Sequence, residues 1–66
     1  MDTLEKIKRI NKKCNNSLSI TCYDNYWSIH SYKEGTLLRK WISGNTLEDV
    51  LNKAMKAVEE NEGSNN

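Results

Sequence analysis

Apolar positions in this chain change their spacing twice, and the changes divide it into five elements. Asp2, followed three residues later by Glu5, matches a capping box, which satisfies free amide donors at a helix start. Leu4, Ile7, Ile10 and Cys14 then recur at helical spacing and predict one buried stripe. Lys6, Lys8, Arg9, Lys12 and Lys13 form the opposite, solvated face, and Asn15-Asn16 can take up the left-handed backbone that ends a helix. From Ser17 the period falls to two. Leu18, Ile20 and Cys22 alternate with Ser19, Thr21 and Tyr23, and Trp27 and Ile29 alternate with Tyr26, Ser28, His30 and Tyr32. Asp24-Asn25 between these runs reads as a turn pair that tolerates left-handed backbone.

A two-residue hairpin at Asp24-Asn25 sets Cys22 opposite Trp27 and Ile20 opposite Ile29, so the apolar sets coincide on one face. A second turn at Lys33-Glu34-Gly35-Thr36 leads to a third strand. There Ser31 is expected opposite Leu38 and Trp27 opposite Ile42, with Leu38 and Ile42 inside and Lys40 on an edge. A bulge in this strand would bury Leu37 and Trp41 instead. Thr46 and Asp49 form a second capping signal, and Leu47, Val50, Leu51, Ala54 and Val58 give a broad helical stripe.

The expected fold is therefore α+β, in the order α-β-β-β-α, with two helices on one face of a three-stranded antiparallel sheet. Residues 1–60 form the domain, and 61–66 are expected to be a frayed, disordered polar tail. The second sheet face stays open and carries Tyr23, Tyr26, His30, Tyr32, Leu37, Arg39 and Trp41.

Composition narrows what such a fold can do. A chain of 66 residues buries only about 60% of the surface it exposes when unfolded. With 36% hydrophobic residues it can build one thin core and has few apolar side chains left for an enclosed cleft. The net charge of +1 selects no partner class. Its distribution is dipolar, about +3 over residues 1–16 and −3 over residues 44–66, the pattern of two solvated helix faces or of a field that steers a partner. The chain has two cysteines without a CxxC pair, no opening apolar segment and no run long enough to span a membrane. These features set the expectation of a cytoplasmic protein with reduced thiols, away from any membrane.

Candidate chemistry is sparse. His30 is the single histidine, and no cysteine or carboxylate stands at a motif spacing from it. Cys14 and Cys22 both fall on expected core faces, where thiols behave as small hydrophobes. The scattered glycines make no phosphate loop. No enzyme activity, cofactor or metal is expected. The open face is the exception: Tyr23, Tyr26, His30, Tyr32, Arg39 and Trp41 include the residue types that dominate binding hot spots. Tyrosines are also good strand formers that stabilise sheets through cross-strand pairs, so the same residues have a purely structural reading.

The helix, three strands and helix resemble double-stranded-RNA-binding domains in topology. That family's Gly-Pro-x-His loop and Lys-Lys-x-Ala-Lys helix start are replaced here by Asp24-Asn25-Tyr26-Trp27 and Thr46-Leu47-Glu48-Asp49, so its function is not carried over. A second pattern joins Tyr26-Trp27-Ser28-Ile29, Gly35, Gly44-Asn45-Thr46-Leu47-Glu48-Asp49-Val50 and Ala54. It is similar to the second half of small phage- and prophage-encoded domains, the size class of anti-CRISPR inhibitors. The resemblance implies a small non-enzymatic protein, an inhibitor from a phage or mobile element that binds a host protein. The alternative is a nucleic-acid-binding module that stacks bases on the aromatics, with Arg39 as its cation. Self-association, by stacked faces or paired edges, is a third use of the same surfaces.

Overall fold

A computed structural model describes residues 1–33, 36, 38 and 40–63. It has the expected element order: α1 (Thr3–Lys13), β1 (Leu18–Cys22), β2 (Trp27–Ser31), β3 (Ile42–Gly44) and α2 (Leu47–Gly63). The sheet is antiparallel in the order β1-β2-β3. The fold is α+β, and both helices contribute to one core on the Ile29 side of the sheet.

Local signals act as the residue types require. Asp2 Oδ1 accepts from the Glu5 amide at 2.8 Å and starts α1. Asn15 and Asn16 end it with φ of 55° and 60°. Thr46 Oγ1 accepts from the Asp49 amide at 3.0 Å while Asp49 Oδ2 accepts from the Asn45 amide at 3.3 Å, a reciprocal cap on α2. The hairpin register is the expected one, with Cys22 opposite Trp27 and Ile20 opposite Ile29. Its turn is closed by the Tyr23 amide donating to the Tyr26 carbonyl at 2.8 Å. Asp24 and Asn25 achieve this without left-handed backbone, since Asn15 and Asn16 are the positive-φ residues among the described non-glycines.

The third strand departs from expectation. It is short, and Ile42 lies opposite Ile29 and Gly44 opposite Trp27, two residues out of the expected register. A slip of two keeps every side chain on its expected face. The shift lines up Ile20, Ile29 and Ile42 as one apolar row across the sheet. It also sets Gly44 close against Asp49 and Val50 in the first turn of α2. The longer connection this requires costs little, because loop-closure entropy grows only slowly with length. Leu38 is buried as expected, but from the connection and not from a strand. Thr36 is buried beside it, its Oγ1 3.3 Å from the Lys33 and Leu38 carbonyls. The expectations for Glu34, Gly35, Leu37 and Arg39 lie outside the described residues.

Leu4 and Lys6 of α1 also differ from expectation. Thr3 and Lys6 turn toward α2. Lys6 Nζ donates to Glu48 Oε2 at 2.7 Å and to Asn52 Oδ1 at 2.9 Å, and Thr3 Oγ1 donates to Glu48. These bonds, Lys6's first, hold the Glu48 carboxyl below its ordinary range. The buried arc of α1 is then centred on Ile10 and Cys14. Leu4 falls to one side, 58% exposed, although its spacing placed it in the buried stripe. Lys6, expected in solvent, spans the two helices instead. At the other end α2 continues to Gly63, past Glu60 and into the stretch expected to fray. Ser64–Asn66 lie outside the described residues.

The two thiols separate. Cys14 is buried and Cys22 exposed, which corrects the expectation that both point inward. Cys22 ends an edge strand whose inner face no helix covers fully. Burial pushes the Cys14 thiol up, against the lowering effect of hydrogen bonds from the Leu38 backbone and the Ser31 side chain. A pKa higher in the folded than the unfolded state favours folding fully below the unfolded value, and the benefit is lost as pH rises through the folded value. Stability should therefore fall as pH climbs beyond the ordinary thiol range, and less steeply in Cys14→Ala, as read by urea unfolding across alkaline pH. A thiol reagent should label Cys22 in the native single chain, at high dilution, and Cys14 only on unfolding. Equal labelling rates would contradict this burial.

Candidate functional site: the open sheet face

The ladder determines which side chains share the open face. The Tyr23 amide bonds the Tyr26 carbonyl, and the Tyr32 amide bonds the Ser17 carbonyl at 3.2 Å. Hydrogen-bonded pairs therefore alternate along the strands from Tyr23–Tyr26 to Ser17–Tyr32. Tyr23, Tyr26, His30 and Tyr32 project to the side opposite Ile29. Trp41 lies one residue before the last ladder pair, directly across from His30.

The rings meet in two pairs. Tyr23 and Tyr26 stack with centroids 4.6 Å apart and planes 12° apart. His30 and Trp41 stack at 3.6 Å and 17°. Each such pair contributes roughly 0.5–1.5 kcal/mol beyond its area, so the rings do stabilise the sheet. They remain accessible: Tyr32 is 66% and Trp41 60% exposed, and Tyr23 and Tyr26 are also exposed. Tyr26 and His30 are four residues apart on one strand, about 13 Å. Between the pairs runs a row of small hydroxyl side chains, Thr21, Ser28 and Ser43, paired across the three strands. Ser28 at its centre is buried. The face is thus a shallow polar strip between two aromatic ridges.

The structure brings together five of the six expected site residues: Tyr23, Tyr26, His30, Tyr32 and Trp41. Arg39 lies outside the described residues. The expected register set Arg39 opposite His30; the observed one puts Trp41 there, so the second ring pair depends on the two-residue slip. His30 Nδ1 is buried and has no hydrogen-bond partner among the described residues, held under the indole. Sequence reasoning did not single out the hydroxyl row, although its signal was present in the polar positions that alternate with the core.

Beyond Trp41 the surface turns the β3 edge into a groove of about 430 Å³. Leu38, Trp41, Ile42 and Ala57 give it apolar walls, and Lys40 and Glu60 flank it with charge. Among the described residues no group of three or more His, Cys, Asp and Glu is placed to hold a metal ion. No described helix is long and apolar enough to cross a membrane. No family model, curated protein or solved structure matches the chain.

Proposed function

We propose that this chain is a small non-enzymatic binding protein, and that the open sheet face with the groove beside Trp41 docks a protein partner. The observation that carries this reading is the exposure of the two ring pairs on one face. Tyr23, Tyr26, Tyr32 and Trp41 together offer on the order of 400 Å² of ring surface. That is half of the ~800 Å² one side of a standard interface contributes. The groove is large enough to take an apolar side chain of the partner next to the exposed Trp41 ring. Its size, its Lys-, Asn- and Ile-rich usage and its likeness to small phage-encoded domains support a phage or mobile-element inhibitor that acts by occupying a host protein.

Capture from a bacterial lysate identifies the partner, and titration of the purified partner tests the site. Trp41→Ala should weaken binding by about 2 kcal/mol, roughly thirtyfold, because Trp41 both lines the groove and props His30. Tyr32→Ala should cost about tenfold. Full retention by both variants would remove the open face as the interface. The alternative, stacking of single-stranded nucleic acid on the same rings, predicts oligonucleotide binding that weakens steeply with salt. The described cations near the face are Lys33 and Lys40, too few for a backbone-tracking groove, which favours the protein partner.

A further inference from the structure

We propose that the outer edge of β1 pairs with the same edge of a second copy, in one defined register, to give a continuous six-stranded sheet. This surface is distinct from the open face. Because Tyr23, Thr21, Ser19 and Ser17 direct their backbone bonds toward β2, the N–H and C=O groups of Leu18, Ile20 and Cys22 point outward. The Leu18 amide is already taken, donating to Asn11 Oδ1 at 3.2 Å. Among the described residues the free donors of this edge are therefore those of Ile20 and Cys22.

One antiparallel register uses both residues fully. Setting Thr21 opposite the other copy's Thr21 makes Ile20 exchange two hydrogen bonds with the second Cys22, and Cys22 two with the second Ile20. A shift that centres on Ile20 would need the occupied Leu18 amide. A shift that centres on Cys22 would set Ile20 against the turn residue Asp24. The edge also lacks the usual guards against pairing: Leu18–Cys22 has no charge, no proline and no bulge.

Side chains agree with this register. Cys22, exposed in the single chain, would lie over Ile20 of the other copy on the inner face. The strand ends carry opposite charge: exposed Asp24 follows β1, and the last turn of α1, with exposed Lys12, precedes it. An antiparallel pair brings each Asp24 to the other copy's basic end, at both ends of the seam. That complementarity points to a second copy rather than an unrelated strand.

Sedimentation equilibrium should give twice the 7.7 kDa of one chain. Thr21→Lys and Thr21→Glu each place two like charges at the symmetry axis, at a non-hydrogen-bonded pair about 4.5 Å apart. Each should weaken association roughly a hundredfold, and an equimolar mixture of the two should restore it. Thr21→Cys in a Cys22→Ser background changes little volume and should oxidise to a covalent dimer, since that spacing suits a disulfide. A wild-type chain at single mass over its soluble range overturns the proposal. Dimers indifferent to the Thr21 charges, a mixture that stays apart or a Thr21→Cys chain that does not cross-link also overturn it. Thr21 also lies in the polar strip of the open face, but sedimentation and cross-linking of the isolated chain read self-association with no partner present, so their failure is distinct from failure of the proposed docking site.

Discussion

Gly44→Ala should destabilise the fold by about 3 kcal/mol, the upper part of the range for inserting a methyl group into a close-packed contact. A Cβ at this position would lie 2.7 Å from Asp49 Oδ2, 2.8 Å from the Val50 amide nitrogen and 3.1 Å from Val50 Cα. The carboxylate can swing away, but only by giving up its bond to the Asn45 amide. The Val50 backbone cannot yield unless the first turn of α2 lifts from the sheet, and that turn carries buried Val50 and Leu51. No left-handed backbone is involved, so the cost is steric. Total stability for a chain of this length is about 3–10 kcal/mol, so the loss would be visible as a large drop in the urea midpoint. Ser43→Ala, one residue earlier and exposed, should stay within about 0.5 kcal/mol. A Gly44→Ala variant as stable as Ser43→Ala would mean that β3 and α2 do not meet as described.

Ile29→Ala should cost about 3–4 kcal/mol by the same measurement. Ile29 is fully buried on the central strand, between Ile20 and Ile42, and belongs to the cluster formed with Ile10, Val50, Leu51 and Ala54. Truncation removes transfer free energy and leaves a cavity that the sheet, tied on both sides of β2, cannot close. Leu4→Ala is the instructive contrast. The same helical spacing that identified Ile10 also placed Leu4 in the stripe, but Leu4 is mostly exposed, and its loss should cost under about 0.5 kcal/mol. A loss below about 1 kcal/mol at Ile29 would contradict a core centred on β2.

Much of the fold and the site was legible along the chain because it depends on local physics. Asp2, Thr46 and Asp49 cap helices through amides within four residues of themselves. Asn15 and Asn16 take positive φ because their side chains tolerate it. Alternation from Ser17 to Tyr32 divides inner from outer positions whatever the sheet then packs against. The open face bearing Tyr23, Tyr26, His30, Tyr32 and Trp41 follows from that parity, and a two-residue slip leaves it intact.

What spacing did not determine depends on contacts between distant segments. The register of β3 rests on the Ile20–Ile29–Ile42 row and on the room Gly44 leaves for α2, so Trp41, not Arg39, came to lie over His30. Lys6 left solvent because Glu48 and Asn52, more than forty residues away, offered it acceptors, and Leu4, beside it on the helix, stays 58% exposed. Cys14 and Cys22 occupy equivalent places in their patterns, yet one is enclosed by Leu38 and Ser31 while the other ends an edge strand. Periodicity states which side a residue faces; only the tertiary structure decides whether anything lies on that side to cover it.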